Sequence, residues 1–334
     1  MRADDVTKNP ISSTIDFAKD GVQHGHLRIP HSHDRSAWGS VMIPITQVKN
    51  GTGPTALLSG ANHGDEYEGP IGLCKLAHRL DADAVQGRVI IVPAMNVPAF
   101  HAGRRVSPID GGNLNRLFPG KPDGTVTEKI ADYFTTTLLP MADYVLDIHS
   151  GGKSLDFVPF AAMHRHENAE QDTACEAAMM AFGAPYAMYM VEMDPAGLYD
   201  TEAESQGKVF VTTELGGGGT TTAETIGIAD KGIANFLRHA GILSGDIVIE
   251  KSQLLDMTGE GCFITAINSG LLEPCLDLGK TVTKGDAIAR VWSIDHPGSE
   301  PRIYRAAIDG ILAARHFPSL VEIGDCVAVI AKQG

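Results

Sequence analysis

Residues 55–66 read Thr-Ala-Leu-Leu-Ser-Gly-Ala-Asn-His-Gly-Asp-Glu, an apolar run that passes directly into a polar turn. The apolar part has the length and character of a buried strand. Gly60 and Gly64 suit a tight turn at the carboxyl end of that strand, which is where open α/β sheets bind their ligands. The pattern therefore predicts an α/β fold with His63 and Glu66 beside a ligand site.

A second apolar run, Tyr144-Val145-Leu146, leads into Asp147-Ile148-His149. Two imidazoles and one carboxylate from the ends of two strands (His63, Glu66 and His149) make a three-ligand zinc site whose fourth position is open for water. An open fourth position is typical of a catalytic zinc and favours a metal-assisted hydrolase. The competing interpretation is that both histidines are ordinary polar loop residues, because an H-x-x-E pair also occurs by chance.

Two further loops carry groups that such a hydrolase needs. The loop Asp110–Gly120 contains Asn115 and Arg116; the planar fork of arginine suits a carboxylate, and asparagine adds a donor. Glu214 follows the apolar run Val209-Phe210-Val211 and opens onto four glycines. A carboxylate near a zinc-bound water can act as general base and then as general acid. The competing interpretations are an arginine that satisfies loop carbonyls and a solvated glutamate at a strand end.

The chain from about residue 40 to 240 alternates apolar strands with helix-like stretches, which is typical of an α/β sandwich. Besides residues 55–60 and 144–149, strands are expected at Ser40–Val48, Val89–Ala94, Phe157–Met163 and Val209–Glu214. Helices are expected at Gly69–Leu80, Val126–Met141, Glu167–Phe182 and Thr222–Ala240.

After Gly241 the helical periodicity disappears, and short β-prone runs alternate with turn signals. This spacing predicts a small all-β domain whose start lies between Gly241 and Gly261. We place an N-terminal segment at residues 1–39, a zinc hydrolase catalytic domain at 40–245 and a C-terminal β domain at 246–334.

Composition narrows the classes of function. The chain has 334 residues, 43% of them hydrophobic, and a formal net charge of −14. An acidic surface argues against nucleic-acid and anionic-membrane partners, because phosphates need clustered lysine and arginine. No apolar run approaches the roughly 20 residues that span a bilayer. The five cysteines form no C-x-x-C pair, so we expect reduced thiols in a cytoplasmic protein.

The N-terminal region contains a group of four histidines that looks like a metal cluster by composition: His24, His26, His31 and His33. We prefer the interpretation that these are two H-x-H pairs, one in a strand and one in a loop, with Pro30 between them.

The order of four motifs resembles a known family. H-G-D-E, N-L-N-R-L-F-P-G, D-I-H-S and T-E-L-G-G are similar to motifs of the succinylglutamate desuccinylase/aspartoacylase family, relatives of the zinc carboxypeptidases. Longer segments, among them H-G-D-E-Y-E-G-P and L-D-I-H-S-G-G-K-S-L-D-F-V-P-F, resemble its ectoine-utilisation branch, the Nα-acetyl-L-2,4-diaminobutyrate deacetylases. The resemblance implies a zinc-carboxypeptidase-like α/β/α sandwich with a mixed sheet, followed by a small barrel-sandwich-like β domain.

The resemblance also implies roles for individual residues around a metal. His63, Glu66 and His149 match the ligands of one zinc ion per chain. Glu214 matches the carboxylate that activates the attacking water and returns the proton to the leaving amine.

The same resemblance implies how the substrate is held. Asn115 and Arg116 match the pair that binds the substrate carboxylate. Arg105 is our choice for the arginine that polarises the scissile carbonyl, with Arg104 as its competitor. Many relatives have aspartate where this chain has Asn113, and there that side chain supports a zinc-bound histidine; a neutral amide still accepts the imidazole N–H but raises ligand basicity less.

The implied reaction is removal of the acetyl group from Nα-acetyl-L-2,4-diaminobutyrate in ectoine degradation, which gives acetate and L-2,4-diaminobutyrate. The alternatives are a deacylase of another acyl amino acid (succinylglutamate- or acetylaspartate-like), a carboxypeptidase-type metallopeptidase and a non-catalytic binding protein. The γ-ammonium of the implied substrate needs an acidic or carbonyl partner, and Glu192, Asp194 and Asp200 lie in a plausible loop. We expect a homo-oligomer, with a dimer as the favoured state.

The C-terminal region resembles a biotinyl/lipoyl-like barrel. Its hairpin Ser293–Pro301 has no lysine to carry a cofactor, so we expect the region to shape or close the substrate pocket, with Tyr304 as a contributor near the hairpin.

Overall fold

The structure is a computed structural model that describes residues 8–191, 194–248 and 251–334. Its helices are α1 (Glu68–Arg79), α2 (Val97–Ala102), α3 (Val126–Tyr133), α4 (Ala169–Phe182), α5 (Tyr199–Ser205) and α6 (Ala223–His239). The strands of the first two thirds are β1 (Ser12–Ser13), β2 (Gly21–Pro30), β3 (Ser40–Asn50), β4 (Thr55–Gly60), β5 (Gly87–Val92), β6 (Tyr144–His149), β7 (Leu155–Phe157), β8 (Phe160–Met163), β9 (Tyr186–Tyr189) and β10 (Val209–Glu214). The remaining strands are β11 (Gln253–Asp256), β12 (Phe263–Thr265), β13 (Gly270–Pro274), β14 (Thr281–Val282), β15 (Ala287–Trp292), β16 (Arg302–Arg305), β17 (Gly310–His316), β18 (Leu320–Val321) and β19 (Cys326–Gln333).

A mixed sheet runs through the catalytic part in the order β1-β2-β3-β5-β4-β6-β10-β8-β9-β11. Strands β5, β4, β6 and β10 are parallel neighbours, whereas β3 and β8 run antiparallel to the strands beside them in this group. One hydrophobic core joins this sheet to α1, α4 and α6, and a second core joins it to α2, α3 and α5. The predicted α/β/α sandwich with a mixed sheet is confirmed.

Single apolar runs supply both cores because successive side chains of a strand point to opposite faces. Leu57 and Ile90 belong to one core, and their neighbours Leu58 and Ile91 belong to the other. This explains why β4 and β5 read as continuous apolar runs rather than as alternating patterns.

The prediction of one strand at Phe157–Met163 is wrong. The chain forms β7, which pairs with β17, and then β8, which pairs with β9 and β10. Pro159 lies between them and has no N–H to donate to a ladder, so the chain leaves one set of partners there and joins another. The predicted helix at Val126–Met141 begins as expected after the cap of Thr125 but continues beyond Tyr133 as π and 3₁₀ turns.

The described residues of the C-terminal region form strands joined by turns, with no helix among them, as expected. Four of them form a separate antiparallel sheet in the order β16-β15-β13-β18. Strand β11 pairs with β9 in parallel and with β19 in antiparallel orientation, so the hydrogen-bonded sheet of the catalytic part continues into this region. Among the described residues, no helix is long and apolar enough to cross a membrane.

Candidate metal centre and substrate cavity

The site lies where three parallel strands end side by side. His63 and Glu66 follow β4, His149 is the last residue of β6, and Glu214 is the last residue of β10. Glu214 pairs with His149 in the register of β10 and β6. The carboxyl ends of adjacent parallel strands meet at one sheet edge, so residues distant in sequence share one site.

His63, Glu66 and His149 form a buried cluster. The Nδ1 atoms of His63 and His149 each lie 2.8 Å from a different carboxylate oxygen of Glu66. One ligand atom from each residue lies within 4.8 Å of the others. Two imidazoles and a carboxylate that converge in this way fit a divalent metal, and the donor set is one that zinc prefers.

Burial and neighbouring charge act in opposite directions on this cluster. Burial alone would raise the pKa of Glu66, but His63 and His149 lower it below its ordinary value. Burial alone would lower the pKa of His149, but the carboxylates of Asp147 and Glu66 raise it well above the ordinary value. For His63 burial is the larger effect, and its pKa is lowered. Glu66 is thus held as the anion that a metal ligand must be.

Asp147 supports His149 and is a functional candidate that the sequence analysis did not single out. Its Oδ2 lies 2.7 Å from His149 Nε2. Ser59 Oγ donates to Asp147 Oδ1 at 2.7 Å, and Asn62 Nδ2 donates to Oδ2 at 3.0 Å. A carboxylate that accepts the second N–H of a ligand histidine fixes its tautomer and orientation. The two-residue spacing of Asp147 and His149 on one strand face is the signal that could have identified it.

Asn113 has the corresponding position beside His63. Its Oδ1 lies 3.2 Å from His63 Nε2, so a neutral amide faces one ligand histidine and a carboxylate faces the other. This geometry agrees with the supporting role that the resemblance implied for Asn113.

A close backbone approach shapes the loop that carries His63. A Cβ atom at Gly64 would lie 2.0 Å from the carbonyl carbon of Ala99, so only glycine fits. Gly64 N donates to the carbonyl oxygen of Arg104 at 3.0 Å. The side chain of Arg105 then reaches the cluster, with Nη1 3.8 Å from Glu66 Oε1. Of the two neighbouring arginines, Arg105 lines the cavity and Arg104 is not among the lining residues.

A cavity of about 200 Å³ opens beside the cluster. Every predicted site residue except Glu66 lines it, namely His63, Arg105, Asn115, Arg116, His149 and Glu214. Apolar walls come from both parts of the chain, including Phe160 and Phe210 of the main sheet and Met257, Phe263 and Val329 of the C-terminal region.

The C-terminal region contributes to the cavity wall, but neither its hairpin nor Tyr304 does so. Residues 293–301 are not among the lining residues, and strands β12 and β19 contribute to the wall instead. Tyr304 is also absent from the lining; its hydroxyl donates to Asn268 Oδ1 at 2.6 Å and accepts from Ile267 N at 2.9 Å. The region therefore shapes the cavity, but through Phe263 and Val329 rather than through the hairpin.

Asn115 is oriented by the backbone of α5. Its Oδ1 accepts a hydrogen bond from Tyr199 N at 2.9 Å. With its oxygen bonded to Tyr199 N, Asn115 keeps Nδ2 as a donor for a ligand. A donor next to the guanidinium of Arg116 is what a carboxylate ligand requires.

The structure distinguishes two of the three acidic candidates for the γ-ammonium by whether they line the cavity. Asp200 is buried and lines the cavity. Asp194 is exposed, accepts a hydrogen bond from Ala196 N at 3.2 Å and is not a lining residue. Glu192 lies outside the described residues.

The four N-terminal histidines divide between strand and loop as expected. His24 and His26 lie in β2, and His31 and His33 follow it. His24 Nδ1 lies 2.9 Å from Thr46 Oγ1. Within residues 8–191, 194–248 and 251–334, the cluster of His63, Glu66 and His149 is the one group with the geometry to hold a metal.

Comparison with known proteins gives consistent matches. A sequence model described as the succinylglutamate desuccinylase/aspartoacylase catalytic domain matches residues 52–240. A curated relative from Halomonas elongata, N-alpha-acetyl-L-2,4-diaminobutyric acid deacetylase, is 58% identical over 326 residues, which cover 97% of this chain and 95% of that protein.

Two solved structures are similar over nearly the whole chain. The product-bound structure of the ectoine utilization protein EutE (DoeB) from Ruegeria pomeroyi is 59% identical, with a TM-score of 0.95 and coverage of 97% of this chain and 99% of that one. A succinylglutamate desuccinylase from Silicibacter sp. TM1040 is 57% identical, with a TM-score of 0.95 and coverage of 98% and 99%.

Proposed function

Because this chain belongs to the succinylglutamate desuccinylase/aspartoacylase family, we propose that it is an amidohydrolase that deacetylates Nα-acetyl-L-2,4-diaminobutyrate. The products are acetate and L-2,4-diaminobutyrate, an intermediate of ectoine degradation. Support comes from the 58% identity to a deacetylase of that name and from the likeness to an ectoine utilization protein.

The observation that carries the proposal is the cavity, at which Glu214, Asn115 and Arg116 lie beside the cluster of His63, Glu66 and His149. We assign His63, Glu66 and His149 as ligands of one zinc ion per chain. Bound there, zinc supplies a Lewis acid and lowers the pKa of a water molecule toward neutrality.

The residues around the cluster divide the remaining work. We assign Glu214 as the group that accepts the proton of the attacking water on its carboxylate and passes it to the leaving nitrogen. Arg105 is assigned to the scissile carbonyl, where its positive charge stabilises the developing oxyanion. Asn115 and Arg116 are assigned to the α-carboxylate, and this contact converts binding energy into orientation of the amide.

We also propose a cytoplasmic location. All five cysteines are free thiols, as is usual in a reducing compartment. A small acylated amino acid is the partner that we propose, and the cavity of about 200 Å³ supports this proposal. A dimer stays a prediction, to be checked by light scattering.

The decisive experiment measures acetate release from Nα-acetyl-L-2,4-diaminobutyrate by the zinc-loaded protein and by a chelator-stripped sample, with metal content determined in both. Fast release that is lost on stripping and restored by zinc is the expected result. No release with zinc bound contradicts the assigned substrate, and the Nγ-acetyl isomer is the next compound to test. Cleavage of unmodified dipeptides at a comparable rate would favour a metallopeptidase.

A further inference from the structure

Asp200 is a carboxylate placed in the wall of the substrate cavity. It is the second residue of α5, is 7% exposed and lines the cavity. Thr201 N donates to its Oδ1 at 2.5 Å. A carboxylate in the cavity wall offers negative charge to whatever binds there, so it complements a ligand that brings positive charge.

The position of Asp200 relative to the carboxylate-binding pair fits a short amino acid. The hydrogen bond from Tyr199 N to Asn115 Oδ1 fixes the start of α5 against Asn115 and Arg116. In L-2,4-diaminobutyrate the carboxylate carbon and the γ-nitrogen are at most about 5 Å apart, as four bonds allow. The partner of the ammonium must therefore lie close to the carboxylate-binding pair, which is where α5 presents Asp200.

The other carboxylates on the cavity wall have different tasks. Among the described lining residues they are Asp147 and Glu214. Asp147 is occupied by His149, Ser59 and Asn62. Glu214 ends β10 directly beside His149, at the side of the cavity where we assign proton transfer. Asp200 is the carboxylate on the side where the amino-acid part of the substrate is held.

We infer that Asp200 binds the side-chain ammonium of the substrate and selects cationic over neutral and anionic acyl amino acids. This inference rests on the proposed function. A side-chain carboxylate, as in acetylaspartate, would meet the like charge of Asp200, and such repulsion is an effective means of excluding a wrong substrate. Asp200 is thus a specificity-determining residue for a site whose other groups act on any acyl amino acid.

The test is Asp200→Asn, assayed on two substrates of equal length: Nα-acetyl-L-2,4-diaminobutyrate and Nα-acetyl-L-norvaline, in which a methyl group replaces the ammonium. We expect kcat/KM to fall about a hundredfold on the first substrate, since the ammonium loses a negatively charged hydrogen-bond partner. On the second substrate we expect a change of less than about threefold, because no charge is paired there.

Matched variants separate the alternatives. Asp200→Ser also removes the charge but keeps an oxygen acceptor beside Thr201 N, and it should give the same substrate pattern if Asp200→Asn folds poorly. Asp194→Asn removes an exposed carboxylate from the segment that precedes α5 and should leave both substrates unaffected. Equal loss on both substrates, or loss on neither, would overturn the inference. The inference would also be overturned if Glu192→Gln, and not the Asp200 variants, selectively lowered kcat/KM on the cationic substrate.

Failure of the proposed function has a different signature. If the unaltered, zinc-loaded protein releases no acetate from Nα-acetyl-L-2,4-diaminobutyrate, the substrate assignment itself is wrong. If it does so rapidly and the Asp200 variants retain the preference for the cationic substrate, only the inference about Asp200 is wrong.

Discussion

At the residue scale, Glu214 lies beside the cluster of His63, Glu66 and His149 without belonging to it, so its proposed role in proton transfer can be tested separately from metal binding. We expect Glu214→Ala and Glu214→Gln to keep one zinc per chain and to lower kcat by about 10²–10⁴, the usual contribution of a general base. Metal content and acetate release on the same samples provide the measurement. Glu224→Gln, an exposed carboxylate in the first turn of α6, is the control. Near-normal turnover in the Glu214 variants would contradict the assignment.

Asn113 offers a second residue-scale prediction. Its Oδ1 faces His63 Nε2 at 3.2 Å, and a carboxylate there would accept the same N–H. We expect Asn113→Asp to retain zinc and most activity. Asn113→Leu removes the acceptor and should weaken zinc binding about 10–100-fold, as lost support of a ligand does. A competition titration with a chelating dye measures both affinities. Loss of zinc in Asn113→Asp would show that this side chain does not support His63.

How far residues were predictable depended on whether their signal was local. His63, Glu66 and His149 were predictable because each lies at the end of an apolar run, and the structure brings them together. Asp200 could not be separated from Asp194 because the sequence predicts one polar loop for both. Only the structure shows that Asp200 lies in α5, which the contact of Tyr199 with Asn115 places at the cavity. The role of Arg105 as the group that polarises the carbonyl stays a prediction.

At the scale of elements, the side chain of Asp110 connects α3 to the loop that carries Asn113, Asn115 and Arg116. Asp110 accepts hydrogen bonds from Thr127 N and Thr127 Oγ1, both at 2.8 Å. We expect Asp110→Ala to lower the free energy of unfolding by about 1–3 kcal/mol. Because the loop is then misplaced, KM should rise about tenfold or more, with a smaller change in kcat.

The pH dependence of this effect has a definite sign. Burial alone would raise the pKa of Asp110, but the hydrogen bonds from Thr127 and Gly112 lower it below the ordinary 3.8. The stabilisation is therefore fully present above that value and is lost as the pH falls through the lower folded-state pKa. Denaturant unfolding at several pH values, with the exposed Asp123→Ala as control, checks this. A stability difference that persists in strong acid would contradict it.

Elements were predictable where the sequence pattern alone specified them. The long helices and the strands β4, β6 and β10 follow from periodicity and apolar runs. The break between β7 and β8 was missed because Pro159 sits inside one apolar run, and its effect depends on which partners each half finds. Helices α2 and α5 have only 6 and 7 residues, too few for a periodic pattern, and tertiary contacts hold them in place.

For the molecule as a whole, the hydrogen-bonded sheet passes from the catalytic part into the C-terminal region through β9, β11 and β19, while β7 pairs with β17. Separating the two parts would break these strand pairs and expose their backbone N–H and C=O groups. We therefore expect one cooperative unfolding transition, with calorimetric and van't Hoff enthalpies that agree. Two resolved transitions in the calorimeter would contradict this expectation and would favour independent domains at 40–245 and 246–334.

The division of the cavity between the two parts of the chain has an evolutionary consequence. The residues that we assign to metal binding and proton transfer follow or end β4, β6 and β10, whereas Met257, Phe263 and Val329 belong to the last third of the sequence. We expect mutations of these three residues to alter the shape of the cavity while the residues assigned to the chemistry stay in place. We therefore expect substrate preference to change during evolution through single substitutions in this region, with each intermediate enzyme still active.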